Sequence, residues 1–181
     1  MSAGLMFGRI GRVAALTLLA ATTSGGAYAE SIRAQYSVSL LGLPIGSATA
    51  TGAIEGAAYK IHIDTRLTGL AAVMSNFKAA MASSGAMGAR GPLPAAYAST
   101  TATSNETRTL RMALDSGSVK GLEIAPPWVD AHPGRIPVGD GDKRNILDPI
   151  SALFLPMPAG QDPAGPAACN RSIPIFDGYS R

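Results

Sequence analysis

One cysteine, two histidines, one tryptophan and four phenylalanines are all that 181 residues hold of those types. A lone thiol excludes a disulfide-stapled scaffold, which needs several bridges. So few His and Cys side chains argue against a metal centre, whose ligands must converge in sets. Charged residues make up only 15% of the chain, against about 25% in an average domain. That excludes a long polyelectrolyte tail. No apolar run reaches the about 20 residues that cross a bilayer core. What is present is 46% hydrophobic residues with 21 Gly and 13 Pro, a loop-rich composition without a collagen period. The length suits one ordinary domain.

Residues 1–29 read as a cleaved signal peptide. Arg9 and Arg12 form a basic start, Val13 to Ala21 a short apolar segment, and Ala27-Tyr28-Ala29 a small-residue cleavage site. The two arginines are not adjacent, which favours the general secretory route over a twin-arginine one. Removing Arg9 and Arg12 leaves 13 of the 15 Lys and Arg against 12 Asp and Glu, a net charge of +1. The remaining cations are scattered from Arg33 to Arg181, so no basic face for nucleic acid is expected. No cysteine stands close behind the apolar segment, as lipid attachment at the signal would require. A soluble periplasmic protein with no membrane span after cleavage is expected, with residues 30–181 as a single β-rich domain.

Most of that domain alternates with the period of a half-buried strand. Ile32, Ala34, Tyr36, Val38 and Leu40 interleave with polar residues, and Ser47 to Ile54 can return beside them. Tyr59, Ile61, Ile63, Thr65 and Leu67 form the clearest amphipathic strand. Residues 69–87 fit helix or strand. Ala96 to Thr103, Thr107 to Leu114 and Val119 to Ala125 are three further strands, with turn chemistry at Ser104-Asn105-Glu106 and Asp115-Ser116-Gly117-Ser118. Residues 126–146 read as a surface excursion. A short docked helix is expected over 149–155, capped by Asp148, started by Pro149 and stopped by Pro156, with Ile150, Leu153 and Phe154 as its apolar stripe. Ser172 to Phe176 would begin a last strand.

Chemistry-bearing patterns are weak. His62 lies on the polar side of its strand and His132 in a Pro-Gly loop. Asp140, Asp142, Asn145 and Asp148 open like a calcium loop, but Arg144 falls where an oxygen ligand belongs and no Glu closes it. Ser83-Ser84-Gly85 lacks the setting of a nucleophile elbow. Gly85, Gly88 and Gly91 match no phosphate loop and read as turn flexibility. No catalytic, cofactor-binding or metal-ligating residue is therefore assigned, no cofactor is expected, and a non-catalytic protein is favoured over an enzyme. Cys169, exported as a lone thiol, is paired between chains, buried, or missing its partner. Small residues at Ala34, Ala48, Ala50, Ala98 and Ala102 are expected to face inward. A curved sheet with such a face either encloses room for an apolar ligand or is filled by the short helix.

The order of several blocks resembles the domain-of-unknown-function 3108 family of exported bacterial proteins. They are Gly42-Leu43-Pro44-Ile45-Gly46, Gly91-Pro92-Leu93-Pro94, Asp148-Pro149-Ile150-Ser151, Cys169-Asn170-Arg171 and Phe176-Asp177-Gly178. The resemblance singles out Gly42, Pro44, Gly46, Asp148, Ser151, Cys169, Phe176, Asp177 and Gly178 as motif positions without an assigned role. It implies a mainly β domain, an antiparallel curved sheet of half-barrel or open-barrel form. It also implies that such chains continue past Phe-Asp-Gly, so this one reads as shortened at its C-terminus. The expected function is binding of an apolar or lipid-like ligand, or of an envelope component. The alternative is a structural partner in the cell envelope that pairs through its sheet edges.

Overall fold

The alternating segments pair strictly in sequence order. A computed structural model describes residues 29–127, 137–156, 160, 162, 165, 170 and 172–180. The proposed leader, His132 and Cys169 lie outside the described residues. Seven antiparallel strands form one sheet in the order β1 to β7: Ala29–Leu40, Leu43–Glu55, Ala58–Leu67, Lys78–Gly88, Gly91–Ala102, Thr107–Asp115 and Ser118–Ala125. β1 and β7 do not pair, so the sheet is open. The fold is mainly β, as the alternation and the family resemblance both imply.

Turn residues set the hairpins. Leu41 and Gly42 have φ of 50° and 80°, and Ser116 and Gly117 have 51° and 73°. Two successive positive φ values match the right-handed twist of the strands they join. The ambiguous stretch at 69–87 divides into a helix, α1 (Gly69–Ser75), and β4. Asn76 closes α1 in the left-handed conformation, and its N–H donates to the Ala72 carbonyl at 2.8 Å.

One face of the sheet carries the core. Tyr59, Ile61, Tyr97, Leu110, Met112 and Leu114 are buried there against Ile146, Ile150 and Phe176 from the C-terminal segment. Leu110, Ile146 and Phe176 are each about 1% exposed, and burial of such side chains stabilises by ~1.5–3 kcal/mol apiece. The C-terminal segment thus covers the central strands on this face. β1 at its edge stays open, with Ile32, Tyr36, Val38 and Leu40 between 43% and 61% exposed.

Three local expectations are corrected. The 149–155 helix is only a 3-10 turn, Ser151–Phe154, in which Leu153 N–H donates to the Ile150 carbonyl at 3.1 Å. One α-type bond precedes it, from the Ala152 N–H to the Asp148 carbonyl at 3.1 Å, and the apolar stripe separates: Ile150 is buried while Leu153 is 68% exposed. The strand from Ser172 shrinks to a parallel bridge between Leu147 and Ile175, since Pro174 has no N–H to extend a ladder. The small inward residues do not share a face. Ala34 and Ala50 pair opposite Ile63 on the core face, and Ala48 lies opposite Thr65 there. Ala98 and Ala102 register with Ala82 and Lys78 on the other face.

Candidate functional site

Two places gather polar chemistry. The first is buried. Asp148 and Ser151 are 0% exposed, and Ser83 and Tyr59 each 3%. Asp148 Oδ1 accepts the N–H groups of Ile150 at 3.0 Å and Ser151 at 2.9 Å, the capping role its position suggests. Its Oδ2 accepts the hydroxyls of Ser83 at 2.9 Å and Ser151 at 2.5 Å. Tyr59 OH lies 2.7 Å from Ser151 Oγ. The hydroxyl protons of Ser83, Ser151 and Tyr59 serve those three bonds, so Tyr59 donates to Ser151. The Ser83–Ser151 approach of 2.9 Å then holds no proton of its own. Burial raises the Tyr59 hydroxyl above its ordinary pKa, offset in part by the Ser151 and Ser83 hydrogen bonds. Burial likewise pushes Tyr97 up to about 12.

This cluster is closed. Every buried side-chain polar atom among the described residues has a partner, and solvent reaches neither Asp148 nor Ser151. A substrate would have to break the fold to touch it. Its chemistry is that of a latch, which pins the C-terminal segment to β3 and β4 through fully satisfied polar groups.

The second place is open and lies on the sheet's other face. Two adjacent cross-strand rows floor a trough of about 890 Å³. One runs Thr51, His62, Ala82, Ala98, Arg111, Glu123, and the next Ala53, Lys60, Ser84, Ala96, Ala113, Gly121. The trough reaches from β2 to β7 across the sheet. Ala82, Ala98, Ser84, Ala96 and Ala113 at the middle of the rows keep the floor low, where larger side chains would fill the concavity. Charge sits towards the rim, with Lys60, Arg111 and Glu123 exposed and His62 Nε2 3.0 Å from Asp64 Oδ2.

Towards the end of the sheet that carries α1, the same face continues as a polar hollow of about 600 Å³. Arg33, Arg66 and Lys78 line it with Asp64 as the lone acid, so cations prevail there.

The family-motif positions among the described residues hold the architecture and do not line the trough. Gly42 supplies its turn, and Pro44 opens β2 with its carbonyl against Gly69. A Cβ on Gly46 would lie 3.0 Å from the Arg66 carbonyl. Asp148 and Ser151 form the latch. Phe176 fills the core, Asp177 Oδ1 accepts the Tyr179 N–H at 2.8 Å, and Gly178 packs on Leu110. Of the trough floor, the sequence offered His62 as a polar-face histidine and Ala98 as an inward-facing small residue, but not their assembly with Ala82, Ala96 and Ala113. The signal that finds it is cross-strand register, which alternation within one strand does not contain.

Among the described residues, no three His, Cys, Asp or Glu side chains gather as a metal group. No helix there is long and apolar enough to cross a membrane. A family described as "Protein of unknown function (DUF3108)" matches residues 35–181. No curated protein and no solved structure matches the chain.

Proposed function

The chain belongs to this family of proteins of unknown function, and from that premise we propose that it is an exported, periplasmic, non-catalytic binding protein for an apolar or lipid-like ligand. The observation that carries the reading is the low floor of small side chains, Ala82, Ser84, Ala96, Ala98 and Ala113, in the middle of an open trough that reaches from β2 to β7. Its volume lies within the ~300–1,000 Å³ usual for small-molecule sites. The cationic hollow at one end would take an anionic head group, and the floor would take the apolar body. Sequestration needs no reacting group, in keeping with a latch whose hydroxyls and carboxyl are used up internally. Gentle purification, organic extraction and mass spectrometry test the proposal. A stoichiometric amphiphile supports it. A folded protein that carries none and takes up no added amphiphile overturns it.

The long edge strand favours a second reading. β1 spans twelve residues, and β2 is the strand paired with it. An exposed edge of that length is a template for strand addition. Recovery of one envelope protein and no lipid, with loss of that partner on Gln35→Pro, would favour this reading over the trough.

A further inference from the structure

The helix α1 is inside out. Leu70, Val73 and Met74 stand at i, i+3 and i+4, a spacing that ordinarily faces a core. Here they are 78%, 82% and 82% exposed, and no α1 residue is buried. The helix packs beside the start of β2, where Thr68 N–H donates to the Ile45 carbonyl at 3.0 Å. That places it next to the β1–β2 hairpin tip. Leu40, Leu41 and Leu43 on that tip are 61%, 95% and 69% exposed. One end of the sheet therefore projects six bare apolar side chains.

Glu106 in the β5–β6 turn, whose Ser104 hydroxyl donates to the Ser75 carbonyl of α1 at 3.4 Å, is paired with Arg108, which leaves Arg66 and Lys78 as an excess of positive charge beside the apolar tips. No charged residue occurs between Arg33 and Glu55, or between Arg66 and Lys78. The tip and the helix are thus free of charge along their whole length. Arg66 and Lys78, which bound α1 in sequence, are cross-strand partners on the terminal rung of β3 and β4. We propose that this end docks on the surface of an anionic lipid bilayer. Leu41, Leu70, Val73 and Met74 enter the acyl boundary, and Arg66 and Lys78 remain at the phosphates. Convex apolar tips with flanking cations match an interface in which apolar side chains sink and long basic ones reach back to the head groups. A protein partner would require a complementary cleft and gains nothing from this charge pattern. Arg66 and Lys78 also line the cationic hollow, whereas the apolar tips line neither the trough nor the hollow, so the triple Leu41, Leu70 and Val73 variant tests docking separately from ligand binding. A protein docked in this way presents the trough's cationic end to the head groups.

Vesicle flotation of the full chain tests it, with phosphatidylcholine vesicles and vesicles in which phosphatidylglycerol replaces about a third of that lipid. The wild type is expected to float with the anionic vesicles. Leu41→Ser with Leu70→Ser and Val73→Ser should lower that binding at least tenfold with an unchanged melting temperature, since all three side chains are already in water. Arg66→Gln with Lys78→Gln should weaken binding to anionic vesicles and leave the phosphatidylcholine baseline unmoved. A wild type that floats with neither vesicle overturns the proposal. So does a triple variant that floats as well as the wild type, because another part of the chain would then hold the membrane.

Discussion

Asp148 is the residue on which the C-terminal segment hangs, and its replacement should separate the parts of the latch. Asp148→Ala removes the acceptor of four hydrogen bonds at a position with no exposure. The Ser83 and Ser151 hydroxyls can turn to one another across their 2.9 Å gap. The Ile150 and Ser151 N–H groups have no such recourse. Two orphaned buried donors at ~1–3 kcal/mol each, with a small cavity beside them, predict a loss of about 3–5 kcal/mol. Asp148→Asn keeps an oxygen for both N–H groups and turns the second contact into a donor, for a loss of about 1–2 kcal/mol. Tyr59→Phe deletes one donor to Ser151 and should cost about 1 kcal/mol. Urea unfolding followed by far-ultraviolet circular dichroism gives the three values. A domain of this size holds only ~5–15 kcal/mol in total, so the alanine variant should unfold at visibly lower urea. An alanine variant within 1 kcal/mol of wild type would refute the reasoning. So would a Tyr59→Phe loss as large as that of Asp148→Ala.

Three further outcomes follow from packing and titration. Gly178→Ala should lower stability by about 2–4 kcal/mol in the same assay, since φ is +96° and the new Cβ would lie 2.1 Å from Cδ1 of the buried Leu110. Gly85→Ala should be at least as damaging, because its Cβ would meet the Leu93 carbonyl oxygen at 2.2 Å, an atom held in the β4–β5 ladder. Tyr97 is held neutral by burial, with its pKa moved from 10.0 to about 12. Its contribution is complete below pH 10 and drains away as pH rises towards 12, by ~3 kcal/mol in all. Urea midpoints across that alkaline range should fall less steeply in Tyr97→Phe, and equal slopes would remove Tyr97 as the cause.

Strands and hairpins were legible because their signals are local. The alternation of Tyr59, Ile61 and Ile63 needs only a half-buried strand, and Ser116-Gly117 needs only positive φ. The Asp148 cap was legible for the same reason. Its other partner was not, since Ser83 lies 65 residues away and arrives through the β3–β4–β5 register. Parity also escaped the sequence. Ala34 and Ala98 look alike within their strands, yet pairing puts them on opposite faces, with register shifts at Val38/Ser39, Ser84/Gly85 and Ala113/Leu114. The helical period of α1 was open to reading in Leu70, Val73 and Met74. Its direction depends on which side meets β2, and the stripe itself does not record that.

Titration of the folded protein with a dansyl-labelled fatty acid, beside an Ala98→Trp variant, tests the trough most directly. Ala98 sits mid-floor between Ala82 and Arg111, and an indole there suits a strand while filling the concavity. Saturable one-to-one binding by the wild type, weakened at least tenfold in Ala98→Trp at an unchanged melting temperature, is the predicted result. Absence of saturable binding to the folded wild type, or equal binding by both proteins, would contradict the assignment of the trough as the ligand site.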